Sequence, residues 1–162
     1  MSDQSRYNVL RETAHAFIEA YGFTSATGSP DMDRLTSLMD PNFKQSWGHN
    51  YMIRERPGLQ QILDRDGFHK HLSTMVPFLE SCEAVIHEVI IDEPASRVVV
   101  RNSFFMCPKG QNEGDKEAPE NDMIWILIMD KTGGRITSAQ EFLDATATAR
   151  IGELIAKAKL RD

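Results

Sequence analysis

The feature that most constrains the fold is a change of rhythm at Pro77. Upstream of it apolar residues recur every three or four positions, whereas downstream they sit in long β-branched and aromatic runs. "CEAVIHEVIID" and "SRVVVRNSFFMC" are joined by "DEPAS", and "DMIWILIMD" and "RITSAQEFLD" by "KTGG", so the second half reads as two β-hairpins. Strands joined this way form an antiparallel sheet, which needs an apolar cover on at least one face. The helical first half is placed to supply that cover.

Over residues 7–23, Val9 or Leu10, Ala14, Phe17, Ile18 and Tyr21 keep the spacing of an amphipathic helix, which Gly22 ends. "TSATGSPD" is a loop, after which Asp31 or Asp33 caps a short helix carrying Leu35, Leu38 and Met39, stopped by "DPNF". "FKQSWGHNYMI" alternates, which puts Trp47, His49, Tyr51 and Ile53 on one side of a short strand. "RERPGLQQILDRD" is a turn-rich connection, and residues 67–79 return to helical spacing through Phe68, Leu72, Met75, Val76 and Leu79. The polar stretch "PKGQNEGDKEAPEN", residues 108–121, is predicted as a long, partly disordered loop, and "ATARIGELIAKAKL" as a closing helix.

The predicted order is therefore helix, helix, short strand, helix, four long strands, helix. This is an α+β class in which three N-terminal helices cover a curved antiparallel sheet around a central pocket. With 162 residues, one domain over 1–162 is expected.

Eighteen Lys and Arg against 24 Asp and Glu give a net charge of −6, which disfavours nucleic acid as the main partner. The one dense basic run, residues 157–161, reads as a helix end complementing its dipole. No apolar run approaches the ~20 residues of a membrane span, and the N-terminus lacks the basic and apolar regions of a secretory signal. A soluble, cytoplasmic protein is expected. Cys82 and Cys107 form no CxxC and read as free buried thiols, with too few ligands nearby in sequence for structural zinc. GxGxxG, P-loop, GxSxG and HExxH motifs are all missing, which weakens nucleotide-cofactor, serine-hydrolase and zinc-protease readings.

Several strings carry a resemblance: "HAFIEAYGF" on the first helix, "LMDPNFKQSWGH" leading into the first strand, "DGFHKHLSTMVPFL" on the third helix, "RVVVRNSFF" on a core strand and "GGRITSAQEFLD" on the last. Together they resemble the SnoaL-like branch of the nuclear transport factor 2-like superfamily. The polar insertion and the "QEFLD" ending are similar to small isomerases of fungal polyketide and meroterpenoid pathways. The resemblance implies a cone-shaped α+β fold, a deep pocket, frequent homodimers packed through the sheet, and cofactor-free movement of protons and double bonds or rearrangement of lactone rings. The same fold also hosts carriers and oligomerisation modules, so the site must decide.

Asp144 leads the candidates. It shares a strand face with Gln140 and Phe142, and the resemblance implies that the acid of an "xxFxD" string points into the pocket, where desolvation would tune it as a base. The alternative is an acid capping the helix that follows. The resemblance likewise places His49 in the pocket, framed by Trp47 and Tyr51. Arg54 could hold a developing oxyanion, with Arg56 paired instead to Glu55 or Asp64. His69 lies nearer than His71 to the apolar face of its helix, and the two diverge too far to share a metal. His87 reads as a sheet histidine.

In "VVVRNSFF", either Arg101 with Ser103 or Asn102 with Phe104 faces the cavity, because neighbours on a strand point oppositely. Trp125 is core or pocket wall. Glu141 should point away from the Asp144 face unless a bulge turns both acids inward. The expected substrate is a small polyketide or meroterpenoid, with neither metal nor cofactor.

Overall fold

Ser5 opens the first helix by accepting a hydrogen bond from the Asn8 N–H, and this computed structural model describes residues 5–160. Residues 1–4 and 161–162, the latter including Arg161 at the end of the basic run, lie outside the described residues. Helix α1, Arg6–Tyr21, buries Leu10, Ala14, Phe17, Ile18 and Tyr21, the stripe its spacing predicts. Asp31 caps α2, Met32–Leu38, through the Arg34 N–H.

The chain then becomes extended one residue earlier than the sequence suggests, because Asp40 precedes Pro41 and that position disfavours helix. Met39 consequently opens strand β1, Met39–Trp47, and is buried. The strand also stops sooner than expected. A Cβ on Gly48 would fall 2.1 Å from the Phe142 ring, so only glycine passes here, and His49 then turns with φ at 60° into helix α3, Asn50–Arg54. This turn breaks the predicted Trp47–His49–Tyr51–Ile53 alternation.

Asp64 caps α4, Arg65–Met75, by accepting from the Gly67 N–H. The long strands follow as β2 Leu79–Asp92, β3 Arg97–Pro108, β4 Glu120–Met129 and β5 Ile136–Phe142, and α5, Ala145–Lys159, closes the described chain. Strand order is β1-β5-β4-β3-β2, with β1 parallel to β5 and the other pairs antiparallel. The curved sheet stays open. Gly133, at φ 80°, makes the β4–β5 turn.

One sheet face carries Val98, Val100, Phe104, Trp125, Leu127 and Ala139 against Phe17, Tyr21 and Phe68. The Trp125 ring meets Phe17 edge-on at 5.5 Å and Tyr21 at 6.1 Å, which ties α1 to the middle of the sheet. The connection from β3 to β4 is pinned rather than loose. Gln111 donates to the Pro108 and Glu117 carbonyls and accepts from the Glu117 N–H, while Glu117 pairs with Arg150 of α5 and Lys116 with Glu80 of β2. Cys82 and Cys107 are free and buried. Among the described residues no helix is long and apolar enough to cross a membrane.

Candidate active site

Between the sheet and α5 lies a cavity of about 280 Å³. Its walls are Tyr21, Trp47, Leu59, Met75, Met106, Leu143, Ile151 and Ile155, and its polar groups are Arg56, His71, Asn121, Glu141 and Thr148. The helix contributes Thr148, Ile151, Gly152 and Ile155, one face at three-and-four spacing, so α5 roofs the opening left by the unclosed sheet. Asn121 ties roof to sheet: its amide donates to Thr148 Oγ1 and its Oδ1 accepts from the Asp144 N–H.

Glu141 is the chemical centre. It is only 5% exposed, and burial pushes its carboxyl up to about 8 from an ordinary 4.5. The Gln45 amide donates to Oε2 at 2.7 Å, and the Trp47 indole N–H also favours the ionised form. Desolvation outweighs both, so the acid is largely protonated at neutral pH and can either give or take a proton. The same burial, with the Glu141 charge, raises Tyr21 well above its usual range and raises Cys82. His71 moves the other way: burial lowers it, leaving a neutral imidazole edge-on to Trp47 at 5.1 Å. An acid held protonated and an imidazole held neutral thus line one cavity.

Of the residues predicted from sequence, Glu141 and Trp47 line this cavity, while the others do not. Asp144, expected to face it, instead caps α5, accepting from the Thr146 and Ala147 N–H groups at 2.8 and 2.9 Å. His49 sits on the opposite side of the sheet, against Phe142, in a shallow cleft with Arg101, Asp122 and Asp144. Arg54 is exposed over the ring of Tyr51, itself 73% exposed, because α3 replaces the expected strand. His69 bonds Thr36 Oγ1 between two helices. Arg101 makes a two-pronged ion pair with Asp122 on the outer face, and Ser103 bonds His87 and Glu120 there. The inward pair is Asn102 and Phe104, both fully buried in the core with Trp125 rather than on the cavity wall. Gln140 and Phe142 share the outer face, one position off from Glu141.

Sequence reasoning missed Tyr21, Gln45, Arg56, His71 and Asn121 as site residues. For Glu141 a usable signal existed. Ala139, Glu141 and Leu143 alternate as a buried set, and weighting that trio above the single large Phe142 would have turned the acid inward.

No protein-family model matches the sequence, nor does any curated protein. Solved structures do match. The BvnE pinacolase from Penicillium brevicompactum superposes with a TM-score of 0.72 at 16% identity over 97% of each chain. PrhC from Penicillium brasilianum gives 0.72 at 17% identity over 96% of this chain and 93% of its own. A SnoaL-like protein from Jannaschia sp. CCS1 gives 0.65 at 13% over 93% and 96%. The open five-stranded sheet, its helical cover and these superpositions together identify the SnoaL-like form of the nuclear transport factor 2-like fold.

Proposed function

We propose that the protein is a cofactor-independent isomerase of fungal secondary metabolism, shifting a proton and a double bond in a cyclic, oxygenated polyketide or meroterpenoid. The observation that carries this reading is Glu141, a buried carboxyl titrating near 8 in a largely apolar cavity that also holds a neutral His71. In the proposed cycle, His71 takes a proton from carbon next to a carbonyl, and the electron pair passes to oxygen as a dienolate. Protonated Glu141 then donates to the vinylogous carbon, leaving a shifted double bond. Transfer of the His71 proton to the Glu141 carboxylate restores both groups. Apolar walls such as Met75, Met106 and Ile155 lower the polarity around the few polar groups, so each counts for more than it would in water.

A second reading draws support from the similarity to a pinacolase. A carboxyl held protonated is equally suited to protonating a departing hydroxyl or an epoxide oxygen, which would start a rearrangement or ring opening. We also propose a homodimer, because Val85, Ile90, Ile124 and Ile128 are 36–56% exposed on the outer sheet face.

The test is incubation of wild type and Glu141→Gln, without added cofactors, in deuterated buffer with a panel of cyclohexenone-bearing polyketides, read by mass shift and chiral chromatography. Deuterium on carbon in an isomeric product, lost in the variant, is expected. An isomer or ring-opened product without carbon-bound deuterium would favour the second reading, and saturable binding with no product would replace catalysis by carriage.

A further inference from the structure

The cavity wall holds three ionisable side chains besides Tyr21, and they are unequal in their commitments. Glu141 is held by Gln45, and His71 is packed on Trp47. Arg56 is different. It is half-buried at the rim, yet no ion pair or hydrogen bond engages its guanidinium among the described residues. Neither acid suggested by sequence neutralises it, since the Asp64 carboxylate is spent on capping α4 and Glu55 points to solvent.

The backbone around Arg56 is nonetheless firmly set. Pro57 follows it and holds it extended, at φ −131° and ψ 90°. Its N–H donates to the Ile53 carbonyl, its own carbonyl accepts from the Leu59 N–H, and the Gln60 amide donates to the Ile53 and Arg54 carbonyls at 3.1 Å each. A pinned loop thus presents an uncompensated, partly desolvated cation to a cavity.

Gly152 supplies an independent observation. It lies in the middle of α5, where glycine is less favourable than alanine. Its backbone is not left-handed, and a Cβ there would meet nothing within 4 Å, so neither conformation nor crowding demands glycine. Gly152 lines the cavity and is exposed, so no side chain of its own takes up space on that part of the α5 face.

Resting on the acid–base reading of this cavity, we infer that the substrate binds as an anion, a carboxylate or an enolised vinylogous acid, with its charge on Arg56 and its ring body admitted beside Gly152. The planar guanidinium can give two parallel N–H donors to such an oxygen pair. This orients the molecule with its charged end at the rim and its apolar body towards Glu141. A protonated Glu141 adds no negative charge to oppose it.

The experiment titrates two fluorescent probes into the full chain: anilinonaphthalenesulfonate, an anion, and the uncharged N-phenylnaphthylamine, which has the same rings. Arg56→Gln should weaken sulfonate binding by about tenfold, the scale of a charge-assisted contact, and leave the neutral probe within about twofold. Arg56→Lys should keep most of the preference for the anion, and Gly152→Phe should weaken both probes. Equal effects of Arg56→Gln on the two probes, or sulfonate binding untouched by Gly152→Phe, would overturn the inference. Binding is read without turnover. Loss of sulfonate preference with full activity in Glu141→Gln would therefore remove the acid–base reading and keep the anion site, and the reverse pattern would do the opposite.

Discussion

Replacing Glu141 by glutamine should make the protein more stable at neutral pH while removing its activity. The folded carboxyl titrates near 8 against 4.5 for a free side chain. Below 4.5 both folded and unfolded states hold the proton, so burial carries no ionisation penalty. Between the two values the unfolded chain has released its proton and the folded one retains it. Stability therefore falls by about 1.4 kcal/mol per pH unit until it levels off above 8. The accumulated penalty is below about 1 kcal/mol at pH 5, about 3 at pH 7 and about 5 at pH 9.

Glu141→Gln removes this pH-dependent term. The new amide can still accept one of the two hydrogen bonds now made to the carboxylate, and it can donate to Gln45 Oε1, which is buried without a partner. At pH 7 the variant should melt on the order of 6–12 °C above wild type, using the temperature shift per kcal/mol typical of a domain this size. Urea unfolding of both proteins at pH 5, 7 and 9 isolates the term, because every other titrating group cancels in the difference. A gap that stays constant across that range would refute the reasoning, since it would mean that Glu141 ionises normally in the folded state.

Asp144→Ala should cost about 1 kcal/mol in urea unfolding through loss of the α5 cap, with turnover at saturating substrate retained. Abolished turnover in a folded variant would return Asp144 to the role of base. Gly48→Ala should cost ~1–3 kcal/mol, since its Cβ must displace the Phe142 ring. Turnover should fall with it, because the Gly48 N–H holds the Glu141 carbonyl at 2.7 Å. Ile124→Glu should convert a dimer to a monomer in light scattering, with an unchanged far-ultraviolet circular dichroism spectrum and a melting temperature that no longer depends on protein concentration.

Much of the architecture was legible because long elements repeat their signal. The stripe of α1, the two hairpins and the closing helix each rest on several residues agreeing about one face, and they stand where predicted. The site was less legible because it depends on single-residue decisions. A glycine that admits Phe142 and a left-handed His49 turn β1 into α3, and this carries His49, Tyr51 and Arg54 away from the cavity. On β5 a one-residue difference in facing exchanges Glu141 for Gln140 and Phe142, against what the "xxFxD" resemblance implies for Asp144. Arg56 and His71 were visible as a cation and an imidazole, but nothing in the sequence placed them in the cavity: a pinned loop sets Arg56, and packing of α4 on Trp47 sets His71.

The most direct test of the central claim is an infrared titration of the Glu141 carboxyl, taken as the difference between wild type and Glu141→Gln across pH. A protonated carboxyl signal should persist at pH 7 and disappear with a midpoint near 8. A signal already lost by pH 6 would show an ordinary ionised glutamate and leave the cavity without its acid.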